Sequence, residues 1–280
     1  MKTAAYAKVN LTLEVFGKRS DGYHALRSVV MPVSLADDLE VVATDDGALV
    51  CDSGRSDDLC LKAAEALRTA GGSALFGRGA VICLDKQIPL GGGLGGGSAD
   101  AAAVLRALNE LWRVGLSRRE LAEVGARVGS DVPALVLGGP VLMEGRGEVV
   151  TALPPVRSAL YLVLVNPGIF CSTQEVYSVC RARTEEGSFA SAEMCAALER
   201  GDLAQIAAAL ANDLESAACG LHPEISKAMV ALREAGATGV LMSGSGSTVF
   251  GLATSAAEAE RMAEVCAQKG FWARAVRTLS

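Results

Sequence analysis

The sequence predicts an α+β protein built around one glycine-rich loop. The amino-terminal stretch alternates apolar and polar residues with the period of a β-strand. In the middle of the chain, a strand-like run leads through the glycines directly into helix-forming sequence. Near the carboxyl end, strand-like and helix-like segments alternate, which is typical of a small α+β domain.

The glycine-rich loop covers residues 89–102, PLGGGLGGGSADAA, with three glycines on each side of Leu94. It follows residues 80–84, an apolar run that predicts a strand. Glycine lets backbone N–H groups approach a ligand because it has no Cβ. A helix beginning at Ser98 would add unpaired N–H groups and the positive end of the helix dipole. The pattern therefore predicts a phosphate-binding loop.

Other kinds of glycine-rich segment fit these residues less well. The dinucleotide pattern G-x-G-x-x-G occurs within residues 91–96, but the acidic residues that follow, Glu110 and Glu120, lie in helical sequence. A Walker A loop needs a lysine where Gly97 stands. A flexible linker would carry polar residues instead of a Pro-Leu start and an immediate amphipathic helix.

The composition indicates a folded protein with a sizeable core. Of 280 residues, 50% are hydrophobic and 21% are charged, so disorder is not expected. This length fits two domains or one large domain. The adjacent prolines at 154 and 155 mark the best boundary, and we therefore predict domains over residues 1–153 and 154–280.

Charge and cysteine usage indicate the compartment and exclude some partners. A net charge of −6 argues against a nucleic-acid surface, which would show a basic stripe. We expect no membrane segment and no signal peptide, because no apolar run is long enough and the first residues lead directly into strand-like sequence. The eight cysteines are scattered without a C-x-x-C pair, which predicts reduced thiols in a cytoplasmic protein without structural zinc.

Residues 7–15 alternate cleanly, so their apolar members face one side of a predicted strand. Lys8 and Asn10 project together from the opposite face, two residues apart. Thr12 and Glu14 share that face, and we expect both of them to be solvated.

Turn signals separate the next segments. Residues 18–22 contain Asp-Gly, which predicts a hairpin turn, and Tyr23 and His24 follow it directly. On residue type alone, this Tyr-His pair could simply begin the next strand. The acidic pairs at 37–38 and 45–46 could bind a metal, but acidic pairs in turns are usually solvated, and we expect these to lie in solvated turns.

Periodicity and capping signals predict the remaining elements. Strands are expected over residues 29–35, 39–43, 48–51, 141–151, 160–165, 239–242, 249–253 and 271–278. Helices are expected over residues 59–69, 98–112, 117–128, 172–183, 192–200, 203–211, 223–235 and 255–269, with capping boxes at 117 and 172 and a loop over 184–191. A short helix is expected to contain Pro133 in its first turn, with Ser130 or Asp131 as its N-cap.

Several segments resemble one family of enzymes. The glycine loop resembles the ATP loop of the GHMP kinases, whose pattern P-x-x-x-G-L-G-x-x-S-A is met by Pro89, Gly93, Leu94, Gly95, Ser98 and Ala99. Residues 7–11, AKVNL, and 19–26, RSDGYHAL, resemble the opening signature of one branch, the 4-diphosphocytidyl-2-C-methyl-D-erythritol kinases. Residues 129–133, GSDVP, resemble a third signature of that branch, and residues 243–248, SGSGST, resemble the GHMP motif that packs against the ATP loop.

The resemblance implies both a fold and an activity. The fold is that of a two-domain GHMP kinase: an N-terminal mixed α/β domain with the ATP loop at a helix N-terminus, and a C-terminal ferredoxin-like α+β domain. The activity is ATP-dependent phosphorylation of the 2-hydroxyl of 4-diphosphocytidyl-2-C-methyl-D-erythritol, in the non-mevalonate route to isoprenoid precursors. Mg²⁺ is expected with ATP because it neutralises the phosphates, but no residue is assigned to it.

The resemblance also assigns roles to individual residues. Lys8 and Asp131 would be the catalytic residues, with Asp131 as the acid–base group. ATP would be bound by Pro89, Leu90, Gly91, Gly92, Gly93, Leu94, Gly95, Gly96, Gly97, Ser98 and Ala99. The substrate would be bound by Asn10, Tyr23, His24, Thr173 and Tyr177. On spacing alone, Asp131 could equally be a helix N-cap and nothing more.

Three other functions stay open at this point. A kinase for another small alcohol, such as homoserine or mevalonate, would share the loop but lacks the D-G-Y-H string. A non-catalytic nucleotide-binding protein would not need Lys8 and Asp131, and an oxidoreductase would bind a nicotinamide cofactor. The loop departs from many relatives at Gly97 and Asp100, and Asp100 would weaken ATP binding unless it faces away from the phosphates.

Overall fold

A computed structural model describes residues 1–20, 22–53, 58–183 and 189–279. Its backbone contacts divide the chain into two compact units, each assembled from separate segments. The first unit comprises Met1–Ala7, Leu35–Ile88 and Gly95–Gly138. The second comprises Lys8–Ser34, Pro89–Leu94 and the chain from Gly139 onward. The glycine loop therefore has residues in both units. The predicted domain boundary between residues 153 and 154 stays a prediction.

The described residues form the following strands and helices. The strands are β1 (Lys2–Asn10), β2 (Thr12–Lys18), β3 (His24–Thr44), β4 (Leu49–Cys51), β5 (Gly79–Asp85), β6 (Val141–Gly145), β7 (Val149–Ala152), β8 (Tyr161–Asn166), β9 (Ala211–Asn212), β10 (Val240–Met242), β11 (Val249–Ala253) and β12 (Trp272–Arg277). The helices are α1 (Leu59–Ala70), α2 (Gly96–Leu111), α3 (Arg118–Gly125), α4 (Val132–Leu137), α5 (Thr173–Val179), α6 (Ala190–Arg200), α7 (Leu203–Ala208), α8 (Glu215–Leu221), α9 (Pro223–Glu234) and α10 (Ala256–Gln268).

The first unit packs helices against a small sheet. The second half of β3 pairs antiparallel with β5, from Asp38 opposite Asp85 to Thr44 opposite Gly79. β5 also pairs in parallel with β4. Helix α2 packs against α1 and α4. The alanines at 99 and 101–103 of α2 are buried, and their small side chains allow neighbouring elements to approach closely.

The second unit contains two sheet regions. The first half of β3 pairs antiparallel with β2 and with β6, and β6 forms a hairpin with β7. A separate four-stranded antiparallel sheet has the order β10-β11-β8-β12. Helices α9 and α10 pack against this sheet over a core that includes Val163, Leu232 and Met262. This arrangement confirms the predicted alternation of strands and helices near the carboxyl end.

The strands predicted at 29–35 and 39–43 are confirmed, but the turn predicted between them is wrong. One continuous strand, β3, runs through both ranges, and no turn forms at residues 37–38. Asp37 is fully buried instead of solvated, because it accepts hydrogen bonds from Lys86 and from the backbone N–H groups of Gln87 and Ile88. These partners lie about fifty positions along the chain, so local turn propensity could not reveal them.

The predicted strand over residues 7–15 is interrupted at Leu11, and the expectation of a solvated face at Thr12 and Glu14 is wrong. Both side chains are fully buried. The carboxylate of Glu14 accepts hydrogen bonds from the N–H groups of Ala190 and Ser191, at 2.8 and 3.3 Å, at the start of α6. A helix start supplies donors to a buried carboxylate, so this polar side of the strand is covered rather than exposed.

Several helix boundaries differ from the predicted ones. Helix α2 begins at Gly96, not Ser98, because Gly95 adopts a left-handed conformation and takes the N-cap position. Helix α5 ends at Val179 instead of residue 183, and α8 was not predicted. The predicted loop 184–191 is shortened by α6, and its residues 184–188 lie outside the described part of the chain, as does Asp21.

Candidate functional site

The glycine loop in the second unit, residues 89–94, requires glycine at specific positions. Gly91 and Gly93 have φ angles of +63° and +74°. A Cβ on Gly93 would lie 2.1 Å from the carbonyl oxygen of Ser243, and a Cβ on Gly91 would lie 2.5 Å from the ring of Phe170. Larger residues are therefore excluded by backbone conformation and by close neighbours.

Residues 243–248 hold this part of the loop in place. The Ser243 hydroxyl donates to the carbonyl of Gly93 at 3.0 Å, and the Thr248 N–H donates to the carbonyl of Gly92 at 3.1 Å. On the other side, the N–H of Lys8 donates to the carbonyl of Leu94 at 3.0 Å. The loop carbonyls are thus bound to protein, as the resemblance of residues 243–248 implies. The resemblance identified residues 243–248 only as a segment, and the structure shows which of them bind the loop.

The loop residues in the first unit, Gly95 to Ala99, form the start of α2. Gly95 is the N-cap, and its carbonyl accepts the N–H of Ala99 at 2.8 Å. The preceding N–H groups of the first turn have no acceptor one turn earlier in the helix, and the positive end of the dipole lies there. This start of a 16-residue helix can bind an anion.

Asp131 lies at the start of α4, in the first unit. It occupies the N-cap position, but its side chain makes no capping hydrogen bond to the helix. The interpretation of Asp131 as an N-cap and nothing more therefore loses its main support. Its segment is close to the glycine loop, because a Cβ on Gly129 would lie 3.8 Å from the Ser98 hydroxyl.

Lys8 and Asn10 lie side by side in the second unit, as the alternation of residues 7–15 predicts. Both are 4% exposed, and the Lys8 ammonium donates to the side-chain oxygen Oδ1 of Asn10 at 2.6 Å. The amide of Asn10 in turn donates to the Ser28 hydroxyl at 2.8 Å. This chain of hydrogen bonds orients a buried positive charge beside the strand that holds Leu94 of the glycine loop.

Two ring contacts in the second unit involve predicted substrate residues. The rings of His24 and Tyr177 are 5.5 Å apart and inclined by 30°. The guanidinium of Arg146 lies 5.4 Å from the centre of the Tyr23 ring, which is 56% exposed. Such rings offer flat surfaces on which a nucleobase can stack. The sequence predicted no role for Arg146, which lies in the turn between β6 and β7.

Helix α5 carries Thr173 and Tyr177 one turn apart, so both side chains project from the same face. The Thr173 hydroxyl lies 2.8 Å from the Ser245 hydroxyl, in the segment that holds the glycine loop. Within the second unit, the structure therefore links the predicted substrate residues to the predicted ATP residues through residues 243–248.

Asp100 does not point toward open solvent at the loop. It is 3% exposed, and its carboxylate accepts a hydrogen bond from Lys86 at 2.5 Å. Its carboxylate is therefore bound inside the first unit by Lys86, which also contacts Asp37. This contact accounts for the departure at Asp100.

The cysteines are all free, and three of them are buried. Cys51, Asp58 and Cys60 bring possible metal-binding atoms within 4.8 Å of one another. However, the Asp58 carboxylate caps α1 by accepting the N–H of Cys60 at 2.6 Å. Burial, followed by the charge of Asp58, strongly raises the pKa of the Cys60 thiol, so this thiol stays protonated. Asp58 therefore serves as the N-cap of α1 and Cys60 as a core thiol, and these roles account for their closeness without a metal ion.

Among the described residues, every helix is too short or too polar to cross a membrane.

Comparisons with known proteins agree with these features. The family model for the GHMP kinases N terminal domain matches residues 58–139. The model for the GHMP kinases C terminal matches residues 194–270. Both models match within one chain and in the expected order.

Curated relatives are similar to the chain over its whole length. A 4-diphosphocytidyl-2-C-methyl-D-erythritol kinase from Citrifermentans bemidjiense is 41% identical, with 100% of this chain and 99% of the relative covered. A protein of the same name from Symbiobacterium thermophilum is 43% identical, with all of both chains covered.

Solved structures of GHMP kinases are also similar to the chain over its whole length. A crystal structure of 4-(cytidine 5'-diphospho)-2C-methyl-D-erythritol kinase matches with a TM-score of 0.84 and 37% identity, covering all of both chains. The homoserine kinase from Cytophaga hutchinsonii matches with a TM-score of 0.77 at 21% identity, over 100% of this chain and 94% of the other. At that identity the homoserine kinase supports the fold alone.

Proposed function

This chain belongs to the GHMP kinase family, and on that premise we propose that it phosphorylates the 2-hydroxyl of 4-diphosphocytidyl-2-C-methyl-D-erythritol. ATP is the phosphoryl donor, and the products are the 2-phosphate and ADP. The observation that carries this proposal is full-length identity of 41–43% to curated relatives named for that kinase. The reaction belongs to the non-mevalonate route to isoprenoid precursors, in terpenoid biosynthesis.

ATP is held by the glycine loop, residues 89–99. The loop carbonyls of Gly92, Gly93 and Leu94 are already bound to protein, which leaves the backbone N–H side of the loop for phosphate oxygens. The start of α2 adds its N–H groups and dipole. Phosphoryl transfer depends mainly on positioning and on charge stabilisation, and both are supplied by a rigid loop of this kind.

Asp131 accepts the proton of the substrate hydroxyl during transfer. Its side chain is not used to cap α4, which supports a role other than helix termination. A carboxylate is a weak base, but a loose transition state releases the proton late, so a well-placed weak base suffices. Lys8, oriented by Asn10, offsets negative charge as the phosphoryl group moves.

The substrate is recognised at two ends. Tyr23, His24 and Tyr177 bind the cytosine base, by stacking and by hydrogen bonds from His24. Asn10 and Thr173 bind the methylerythritol side. Support comes from the His24–Tyr177 ring contact and from the hydrogen bond between Thr173 and Ser245.

Further aspects of the function are part of the same proposal. Mg²⁺ arrives with ATP and neutralises its phosphates, and we assign no carboxylate of this chain to it. The enzyme works in the cytoplasm as a two-domain kinase with its boundary between residues 153 and 154. The two family matches, at 58–139 and 194–270, fall on either side of that boundary and support it.

The test is ADP release by the purified protein with ATP and Mg²⁺, in the presence of 4-diphosphocytidyl-2-C-methyl-D-erythritol, homoserine or mevalonate. We expect only the cytidyl substrate to stimulate release. Stimulation by another alcohol would overturn the assignment of the aromatic residues. ATP binding without stimulation by any of the three would favour a non-catalytic nucleotide-binding protein.

A further inference from the structure

A cluster of charged side chains lies next to the part of the glycine loop that belongs to the first unit, because a Cβ on Gly96 would lie 3.6 Å from the ammonium of Lys86. The ammonium of Lys86 lies 2.5 Å from a carboxylate oxygen of Asp37 and 2.5 Å from one of Asp100. Asp37 is fully buried and Asp100 is 3% exposed. Both carboxylates are therefore buried, while the side chain of the lysine that joins them is 28% exposed, and buried carboxylates of this kind are kept only when their contacts are well satisfied.

The cluster binds the chain where it leaves the first unit for the loop. The second oxygen of Asp37 accepts the N–H groups of Gln87 and Ile88, at 2.6 and 2.8 Å. Ile88 is the last residue of this unit before the loop crosses to the second. Asp37 thus fixes three consecutive residues, 86–88, by one side chain.

The same cluster binds the chain where the loop returns. Asp100 lies in the early part of α2, four residues after its first residue, Gly96. A Cβ on Gly96 would lie 3.0 Å from Ile88, so the two ends of the loop are in contact within this unit. Lys86 therefore joins the strand before the loop to the helix after it.

We propose that Lys86, Asp37 and Asp100 are positioning residues that close the base of the ATP loop. They set the separation of residues 88 and 96 and thereby the conformation that the loop presents to the triphosphate. This proposal rests on ATP binding by the loop, and it adds residues that the family signature does not name as contacts.

The charge balance of the cluster predicts how it responds to pH. Burial first, opposed by the hydrogen bond from Lys86, raises the pKa of Asp100 to about 7. Burial tends to lower the pKa of Lys86, but its hydrogen bonds to Asp100 and Asp37 reverse this and raise the pKa. The carboxylate of Asp37 also faces Asp100 and further raises its pKa, and the thiol of Cys60 on α1 faces Asp100 as well, although this thiol stays protonated. Lys86 therefore keeps its charge across neutrality, while Asp100 exchanges its proton.

One buried oxygen of Asp100 lacks a hydrogen bond from the part of the chain that the structure describes, which agrees with the raised pKa of this carboxylate. Among the described residues, none donates a hydrogen bond to the second oxygen of Asp100, Oδ1, although this atom is buried. A buried oxygen of this kind is costly when the carboxylate is ionised and less so when it is protonated. The link between α2 and Lys86 is strongest when Asp100 is ionised.

The test compares variants by direct ATP binding and by steady-state kinetics at pH 6 and pH 8. Lys86→Met leaves two buried carboxylates without their cation and is expected to raise both Kd and KM for ATP by about tenfold, with kcat changed less than about threefold. Lys86→Arg keeps the charge and is expected to restore most of the affinity. Lys269→Met, which makes the same replacement in an exposed ion pair with Glu234, is the matched control and is expected to bind ATP like the wild type.

Asp100→Asn keeps the size of the side chain and removes its titration. ATP itself changes ionisation near pH 6, so the comparison is between the two proteins at each pH. We expect the ratio of the wild-type Kd for ATP to that of Asp100→Asn to fall from pH 6 to pH 8, because ionisation of Asp100 strengthens the link to Lys86 in the wild type only. The double variant of Lys86→Met and Asp100→Asn should bind ATP better than Lys86→Met alone, because one unpaired carboxylate is gone.

Two results would overturn the proposal. One is a folded Lys86→Met protein whose Kd for ATP stays within twofold of wild type. The other, decisive if Lys86→Met does not fold, is an Asp100→Asn protein with the same pH dependence of Kd as wild type. Direct ATP binding separates this proposal from the proposed function: wild-type protein that binds ATP but phosphorylates no substrate refutes only the function, and one that binds no ATP refutes both.

Discussion

Replacement of Gly93 by alanine tests how strongly the loop conformation depends on its neighbours. Gly93 has a φ of +74°, where a Cβ costs about 1–2 kcal/mol. The new Cβ would also lie 2.1 Å from the Ser243 carbonyl oxygen and 3.0 Å from that of Gly246. Backbone atoms cannot rotate away as a flexible side chain can, so the loop has to shift.

The expected magnitude follows from these contacts. A shifted loop loses the hydrogen bond from the Ser243 hydroxyl to Gly93, worth about 0.5–1.5 kcal/mol. Together with the cost of the backbone conformation, the free energy of unfolding falls by about 1.5–3.5 kcal/mol. For a chain of this size, that corresponds to a decrease in Tm of roughly 3–14 °C. We also expect the KM for ATP to rise at least about tenfold, because the N–H groups of the loop are displaced.

Differential scanning fluorimetry and ATP titrations of the initial rate measure both effects. Gly220→Ala is the matched control, because it lies in α8 and its Cβ would meet nothing within 4 Å. That control is expected to leave ATP kinetics unchanged and to raise stability by about 0.5–1 kcal/mol. A Gly93→Ala protein with unchanged KM for ATP and unchanged Tm would refute the packing described for the loop.

Three further predictions concern the catalytic residue, the base-binding surface and pH. Asp131→Asn should lower kcat at least about a hundredfold with little change in Kd for ATP, measured by nucleotide titration; retained turnover would remove Asp131 from the mechanism. Tyr177→Ala should raise the KM for the cytidyl substrate by about tenfold and leave that for ATP unchanged, since one stacked base contributes about 1–3 kcal/mol; equal effects on both substrates would contradict the base-binding assignment. Because the pKa of Asp100 is raised to about 7, the folded state binds this proton more tightly than the unfolded state, so its contribution to stability is present at acid pH and is lost as pH rises to about 7. The Tm of Asp100→Asn relative to wild type should therefore increase from pH 5 to pH 8, and a constant difference would contradict the raised pKa.

Local patterns predicted much of this molecule because the relevant forces act over a few residues. The Ser117–Glu120 capping box forms as expected, since both partners lie within one helical turn. The glycine loop between β5 and α2 also follows from local rules, because glycine conformations and helix starts are local properties. The pairing of Lys8 with Asn10 likewise follows from the period of a strand.

The sequence could not predict contacts that depend on distant segments. Glu14 is expected to be solvated from its alternation, yet α6, about 176 residues later, covers it. Asp37 is expected to lie in a solvated turn, yet it is the buried acceptor for residues 86–88. In both cases a charged side chain is buried because its donors come from elsewhere in the chain, and no local periodicity reports such donors.

The cluster of Lys86, Asp37 and Asp100 shows the same limit at the functional site. The sequence placed an extra negative charge at Asp100 close to predicted phosphate ligands. Only the fold brings Lys86 within 2.5 Å of that carboxylate and turns the charge inward. A residue that looks unfavourable for ATP binding in the sequence therefore becomes part of the support for the loop.

The position of the transferred phosphate on the product tests the assignment of the 2-hydroxyl as the acceptor. The protein is incubated with ATP, Mg²⁺ and 4-diphosphocytidyl-2-C-methyl-D-erythritol, and the product is examined by proton-coupled ³¹P NMR. Carbon 2 of the substrate carries a methyl group and no hydrogen, so a phosphate on its hydroxyl has no proton three bonds away. This assignment predicts a new phosphomonoester singlet that is absent with Asp131→Asn. A doublet or triplet, which would place the phosphate on another hydroxyl, or no new resonance at all, would contradict it.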